Sequence, residues 1–341
     1  MNASLKQLLK QTSRSFYLTL RVLPGRVRPQ IGLAYLLART TDTIADTEIV
    51  PLAQRLDALQ KLRARILARS STPLNFGELA KQQASPAERL ILEKVEDSLA
   101  ALQKFSPPDQ QRVRGVLDII TGGQELDLQR FEGASAENII ALKSANELDD
   151  YTYRVAGCVG EFWTQICRAH LFPRAELEDA QLFGDSIRFG KGLQLVNILR
   201  DLPADLRKGR CYLPSLELEQ AGLMPSVLLS PVNEARFRSL YHHYLDVAES
   251  HLRAGWNYTN ALPRGQVRVR LACAWPILIG VKTIGRLRAA GVLKLRQGVK
   301  ISHSERNWIL LGSALVYPLP GVWRKLFPAK TKAVASGPKL R

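Results

Sequence analysis

Apolar residues recur at three- and four-residue intervals through almost the whole chain, and the alternation of a half-buried strand is scarce. That periodicity belongs to helices, whose backbone groups are satisfied within each element. Runs rich in Leu, Ala, Gln, Arg and Glu predict helices near 27–47, 51–69, 86–105, 108–130, 136–170, 179–202, 234–260, 265–290 and 304–317. Ser70-Ser71-Thr72-Pro73, Ser106-Pro107-Pro108 and the stretch from Pro225 to Pro231 punctuate them. No low-complexity linker or short-period repeat divides the sequence. With 341 residues and 46 % hydrophobic content, the expectation is an all-α, single-domain helical bundle with a large core.

Two acidic pairs stand out against this apolar background. Asp42 and Asp46 are four residues apart, as are Asp201 and Asp205, a spacing that puts both carboxylates on one helix face about 5–6 Å apart. A lone pair of this kind is usually a solvated surface. Here each follows a strongly apolar run, Ile31 to Ala38 and Leu193 to Leu199, and acids on mostly buried helices need partners. Arg39 precedes Asp42 by three residues, Arg200 directly precedes Asp201, and Asn197 lies one turn earlier. Two like charges at this distance favour a shared cation, and Mg²⁺ takes a few carboxylates together with water and substrate phosphates. The pairs therefore suggest a diphosphate held by metal ions, with arginine forks completing its neutralisation. Pro203 lies inside the second pair and lacks an N–H, so that helix is expected to kink or end there, which makes Asp201 the safer ligand.

The net charge of +17 is unevenly placed. Residues 253–341 hold 17 Lys or Arg and one acid, Glu305, a balance of 17 − 1 = +16. Such a block suits an anionic membrane surface; no RNP-type, zinc-finger or helix-turn-helix motif accompanies it, so nucleic acid is not the expected partner. Cys158, Cys167, Cys211 and Cys273 form no CxxC pair and read as reduced core residues. The stretch MNASLKQLLKQTSRSF has no apolar run before a cleavage site, and a cytoplasmic, monomeric protein is expected.

Five blocks in order resemble the squalene and phytoene synthase family over residues 12–300: Ser13-Arg14-Ser15-Phe16-Tyr17; Tyr35 to Asp46; Asp150 to Gly160; Gln194 to Asp205; and Gly209-Arg210-Cys211-Tyr212-Leu213-Pro214. The resemblance implies an isoprenoid-synthase helical fold around a central cavity, with two facing aspartate-rich motifs and three Mg²⁺ ions, or Mn²⁺. It implies that two prenyl diphosphates are joined head to head through presqualene diphosphate. Carried over by position, Asp42, Asp46, Asp201 and Asp205 would hold metal. Ser13, Arg14, Ser15, Arg39 and Arg200 would contact diphosphate, with Phe16, Tyr35, Gln194 and Asn197 also binding substrate. Tyr151 would assist proton loss as the cyclopropane closes. Gly122-Gly123-Gln124-Glu125-Leu126-Asp127-Leu128 resembles a cavity-lining segment, although glycine there serves close helix packing equally well.

Within the family, Asp42-Thr43-Ile44-Ala45-Asp46, Ser13 to Phe16, and the strip Val292-Leu293-Lys294-Leu295-Arg296-Gln297-Gly298 resemble squalene-type members, which reduce the intermediate with NADPH. Lys294 and Arg296 would meet the dinucleotide phosphates; no GxGxxG follows a strand. The rival expectations are a presqualene diphosphate, dehydrosqualene or phytoene synthase without reduction, and a non-catalytic membrane-bound protein of the same fold. After a catalytic segment 1–305, residues 306–324 read as an interfacial membrane segment, too short and too interrupted by Pro318, Pro320 and Gly321 to span. Trp308, Tyr317 and Trp323 would lie at headgroup level, and 325–341 form a basic, disordered tail. The alternative is that 308–317 form an ordinary core helix.

Overall fold

The computed structural model describes residues 3–13, 16–294 and 299–329, so most of the basic tail lies outside the described residues. The chain divides into two compact units, Met1–Glu132 with Glu161–Ala175, and Gly133–Gly160 with Glu176–Arg341. The described residues are helical almost throughout, as the periodicity predicts.

The first unit holds α1 (Ala3–Thr12), α2 (Phe16–Val22), α3 (Arg28–Ala45), α4 (Leu52–Ile66), α5 (Gly77–Lys81), α6 (Pro86–Glu93), α7 (Val95–Gln103) and α8 (Pro107–Arg130). The predicted helix 86–105 is two elements, divided at Lys94 (φ −100, ψ 17). Its centre is α3, whose Ile31, Leu33, Leu36, Leu37 and Ile44 are buried. Four threonines follow the same helix, and each satisfies its hydroxyl by donating to a carbonyl one turn back: Thr40 to Leu36, Thr41 to Ala38, Thr43 to Arg39 and Thr47 to Thr43. That keeps an apolar neighbourhood free of unpaired donors. Helix α8 starts on Pro107 with Ser106 as N-cap and packs on α3 and α4. Gly122 leaves room for the Arg63 guanidinium, which would stand 3.3 Å from an added Cβ and pairs with Asp118 at 2.6 Å and Glu125 at 2.9 Å.

The chain departs from expectation between 136 and 170, a stretch that belongs to the second unit up to Gly160 and to the first from Glu161. That stretch opens as β1 (Ile140–Ala141), continues as α9 (Ala145–Thr152), widens into a π-helical turn over Tyr153–Gly157 and resumes as α10 (Cys158–His170). β1 pairs in parallel with β2 (Arg210–Cys211), a partner seventy residues away. Between them runs α11 (Asp179–Arg207). Helix α11 lies so close to the π turn that a Cβ on Gly190 would stand 2.1 Å from the Ala156 carbonyl oxygen, and one on Gly160 would stand 1.9 Å from that of Ser186. Only glycine permits that approach. Then come α12 (Ser215–Gln220), α13 (Glu234–Ala261), α14 (Val267–Ala289), α15 (His303–Val316) and α16 (Pro320–Arg324).

Two expectations are corrected here. Helix α11 holds Pro203 in its interior and ends four residues later, at Arg207, so the doubt over Asp205 is what is corrected: it lies on the same helix as Asp201. Trp323 is not a surface residue, and Tyr317 is half-buried. Trp323 is 2 % exposed, stacks on Trp256 with centroids 5.2 Å apart and donates to Asn260 at 2.9 Å, while the Tyr317 hydroxyl donates to the Arg264 carbonyl. All four cysteines are buried and none is in a disulfide.

Candidate functional site

The first acidic pair ends α3. Asp42 lies in its last turn and Asp46 is the C-cap, its N–H donating to the Asp42 carbonyl. From α8, Gln124 donates its side-chain amide to Asp42 Oδ1, and Arg39 stands 3.9 Å away. Arg39 is engaged more closely by Glu88, at 2.5 Å. The Asp42 side chain keeps 45 % of its surface accessible although protein surrounds it. That enclosure, and then the charge of Asp46, push its carboxyl up to about 6, against the opposing pull of Arg39 and Gln124. This pair is short of positive charge.

The second pair differs. Arg200 binds Asp201 through Nε at 2.9 Å and Nη2 at 2.5 Å. The bond to Asp201, with the charges of Asp201 and Asp205, raises the guanidinium pKa against the effect of burial. Here the pair carries its own counter-ion. Continuity of α11 through Pro203 keeps Asp201 and Asp205 one helical turn apart, as a shared ligand requires. Gln194 is half-buried and Asn197 exposed on the same helix.

Tyr151, in the last turn of α9, is 8 % exposed and stacks on Tyr212, with centroids 4.6 Å apart and planes at 28°. Tyr212 directly follows β2, so the two-residue parallel pairing holds the ring in place. The π turn beside Tyr151 is tied to α11 through Lys191, which pairs with Asp149 at 2.7 Å and lies over the Tyr153 ring. Single π turns inside α-helices frequently mark functional positions.

Ser13 is buried, its hydroxyl donating to the Leu9 carbonyl at 2.5 Å. Tyr35 donates to the carbonyl of the adjacent Thr12 at 3.3 Å, which brings these two sequence blocks together. Arg14, Ser15, the Phe16 side chain and Arg296 lie outside the described residues. Lys294 ends a 3₁₀ turn as an exposed cation; its neighbours Val292 and Leu293 are buried, and the Leu293 N–H donates to Glu234 at 2.8 Å. The described part of the strip thus fits a phosphate contact at Lys294 alone. Two residues that shape the site carried no sequence signal of their own, Glu88 on Arg39 and Tyr241, whose hydroxyl donates to Leu199 in α11 at 2.9 Å; Tyr212 stood in the fifth block, and only packing gives it the role of stacking on Tyr151.

The donors fit a hard divalent cation. They are carboxylate oxygens, and the like-charge strain at Asp42 is what a cation relieves. On α8 the Oε1 atom of Gln124, whose amide reaches Asp42, is buried with no hydrogen-bond partner among the described residues, as is that of Glu125, whose other oxygen pairs with Arg63. Among those residues no three His, Cys, Asp or Glu side chains converge on one point. Mg²⁺ fits such pairs because it draws part of its shell from water and substrate phosphates.

A family model described as squalene/phytoene synthase matches residues 9–305. A bifunctional lycopene cyclase/phytoene synthase of Gibberella fujikuroi is 30 % identical over 278 residues, covering 77 % of this chain and 44 % of its own. Squalene synthase ERG9 of Saccharomyces cerevisiae is 25 % identical over 297 residues, covering 86 % of this chain and 64 % of its own. The chain thus spans less than two thirds of the length of either relative. A solved complex of TcSQS with the ligand E5700 superposes with a TM-score of 0.75 at 19 % identity, over 90 % of this chain and 84 % of the other. That likeness shows the fold.

Proposed function

The chain belongs to the squalene/phytoene synthase family, whose members are prenyltransferases using a divalent metal, and on that premise we propose that it joins two farnesyl diphosphates head to head and delivers squalene. The observation that carries the reading is Asp42, a carboxylate one turn from Asp46 whose proton affinity is raised by its enclosure and then by the charge of Asp46, a burden that a bound cation would relieve. Asp42 and Asp46, and Asp201 and Asp205, would each hold metal. A bound Mg²⁺ or Mn²⁺ supplies the positive charge that diphosphate needs in order to leave.

Arg39 and Arg200 add fixed cationic charge. The guanidinium fork matches phosphate as well as carboxylate, so Arg200 can transfer its bidentate contact from Asp201 to substrate. Tyr151, its ring held by Tyr212, would move a proton at its hydroxyl when the cyclopropane closes. NADPH would supply the hydride for the final reduction, with Lys294 meeting a phosphate; support for this step is the resemblance of the strip at 292–298. Peripheral contact with an anionic membrane, as a monomer, belongs to the same reading. The match to a phytoene synthase relative at 30 % identity favours a second reading, a synthase without the reductive step.

Incubating the protein with farnesyl diphosphate and Mg²⁺, with and without NADPH, tests both. Squalene only in the presence of NADPH, and presqualene diphosphate or dehydrosqualene in its absence, is the expected result. Identical products under both conditions would select the second reading, and no turnover of either farnesyl diphosphate or the twenty-carbon geranylgeranyl diphosphate at saturating Mg²⁺ would reject both.

A further inference from the structure

Helix α15 is fastened on one side and open on the other. Ser302 and Glu305 form a capping box, Glu305 pairs with Arg286 at 2.6 Å and Lys282 at 3.0 Å, and buried Ser313 accepts from Trp275 at 3.1 Å. The opposite side carries Trp308, Leu311, Leu315, Leu319 and Val322, which are 76, 63, 77, 56 and 46 % exposed. Their spacings of 3 and 4 residues place Trp308, Leu311 and Leu315 on one face of α15, and the exposed Leu319 and Val322 follow in the connecting turn and α16. A helix packed on one side ordinarily shows water a polar face. This one shows large apolar side chains.

The charge beside the stripe identifies what covers it. Arg264, whose carbonyl holds the Tyr317 hydroxyl, and Arg268, Arg324 and Lys325 are all exposed. From residue 253 onward the sole acid is Glu305, already held by two cations. No helix of the described residues is long and apolar enough to cross a membrane, so contact along the surface is the geometry left to this stripe.

We infer that the α15–α16 stripe is a lipid-docking face, inserting Trp308, Leu311 and Leu315 among the acyl chains of an anionic bilayer while Arg264, Arg268, Arg324 and Lys325 meet its headgroups. Apolar insertion and headgroup charge act together in such interfacial helices, each basic residue adding about 1 kcal/mol near the surface. The assignment rests on exposure and charge; a hydrocarbon product, on the reading above, gives it a purpose.

The test uses the full chain and phosphatidylcholine vesicles with and without phosphatidylglycerol. Co-sedimentation should require phosphatidylglycerol and weaken as salt rises. The tryptophan emission should shift to the blue on binding, and Trp308→Phe should abolish that shift. Leu311→Ser with Leu315→Ser should weaken binding at least about tenfold, and Arg324→Glu with Lys325→Glu at least about fivefold, with unchanged melting temperatures and unchanged turnover of soluble substrate without vesicles. Equal binding by the leucine variant would overturn the assignment, as would a wild type that binds no vesicle. A dimer in light scattering that the leucine variant dissociates would also overturn it, because a second copy would then cover the stripe. Turnover is read separately, so loss of docking and failure of the proposed reaction remain distinguishable.

Discussion

The hydroxyl of Tyr241 on α13 donates to the carbonyl oxygen of Leu199 on α11 at 2.9 Å, and Leu199 stands four residues before Pro203, the residue that cannot supply the helical N–H. The tyrosine replaces a bond that proline removes from the interior of a buried helix. Burial raises the Tyr241 pKa, so the group stays a protonated donor. Helix α11 therefore continues past Pro203, and Asp205 keeps its helical relation to Asp201.

Tyr241→Phe should accordingly cost about 1–3 kcal/mol, the range for a buried acceptor left unpaired. Pro203→Ala restores the N–H, so the double variant should regain part of that loss. Urea unfolding of the four proteins gives the coupling energy, and strict additivity would exclude the compensation.

Asp42→Asn should stabilise the metal-free chain at neutral pH while reducing turnover by a factor of about 10² or more. The folded carboxyl sits at about 6 against an ordinary 3.8, so the fold favours the protonated form. Its contribution is fully present below the ordinary value and is lost as pH rises through 6. The advantage of Asn over Asp should thus be largest above pH 7 and vanish near pH 4 in melting curves. Added Mg²⁺ should raise the wild-type melting temperature more than the variant's. Equal metal-free stability at neutral pH would contradict the strain assigned to the pair.

Tyr151→Phe retains the stack on Tyr212 and loses only the hydroxyl. Formation of presqualene diphosphate should fall by a factor of about 10² or more, while presqualene diphosphate supplied directly is still converted. A variant that fails equally on both substrates would make Tyr151 a support for the cavity wall instead.

Gly190→Ala places a methyl 2.1 Å from the Ala156 carbonyl oxygen, so the π turn behind Tyr151 has to move. Gly184, on the same helix, has nothing within 4 Å of its added Cβ. Gly184→Ala should stabilise by about 0.5–1 kcal/mol through helix propensity, and Gly190→Ala should destabilise and lower turnover. Matching behaviour of the two variants would remove the role given to the close approach.

Local periodicity alone determined that the chain is helical and where most helices lie: α3 occupies 28–45 within the predicted 27–47, and α13 occupies 234–261 against 234–260. A helix hydrogen-bonds within four residues of itself, so its pattern is written in adjacent sequence. The acidic pairs were legible for the same reason, since their geometry is one helical turn. Tertiary structure decided what depends on residues far along the chain. Gln124 reaches Asp42 across 82 positions, and Tyr241 reaches Leu199 across 42. β2 claims residues 140–141 from the predicted helix. The C-terminal aromatics divided likewise: Trp323 is buried because Trp256 and Asn260 receive it, whereas Trp308, on the same short segment, meets no such pocket. Apolar character is a property of the residue, but burial is a property of the partner, and the partner is supplied only by packing.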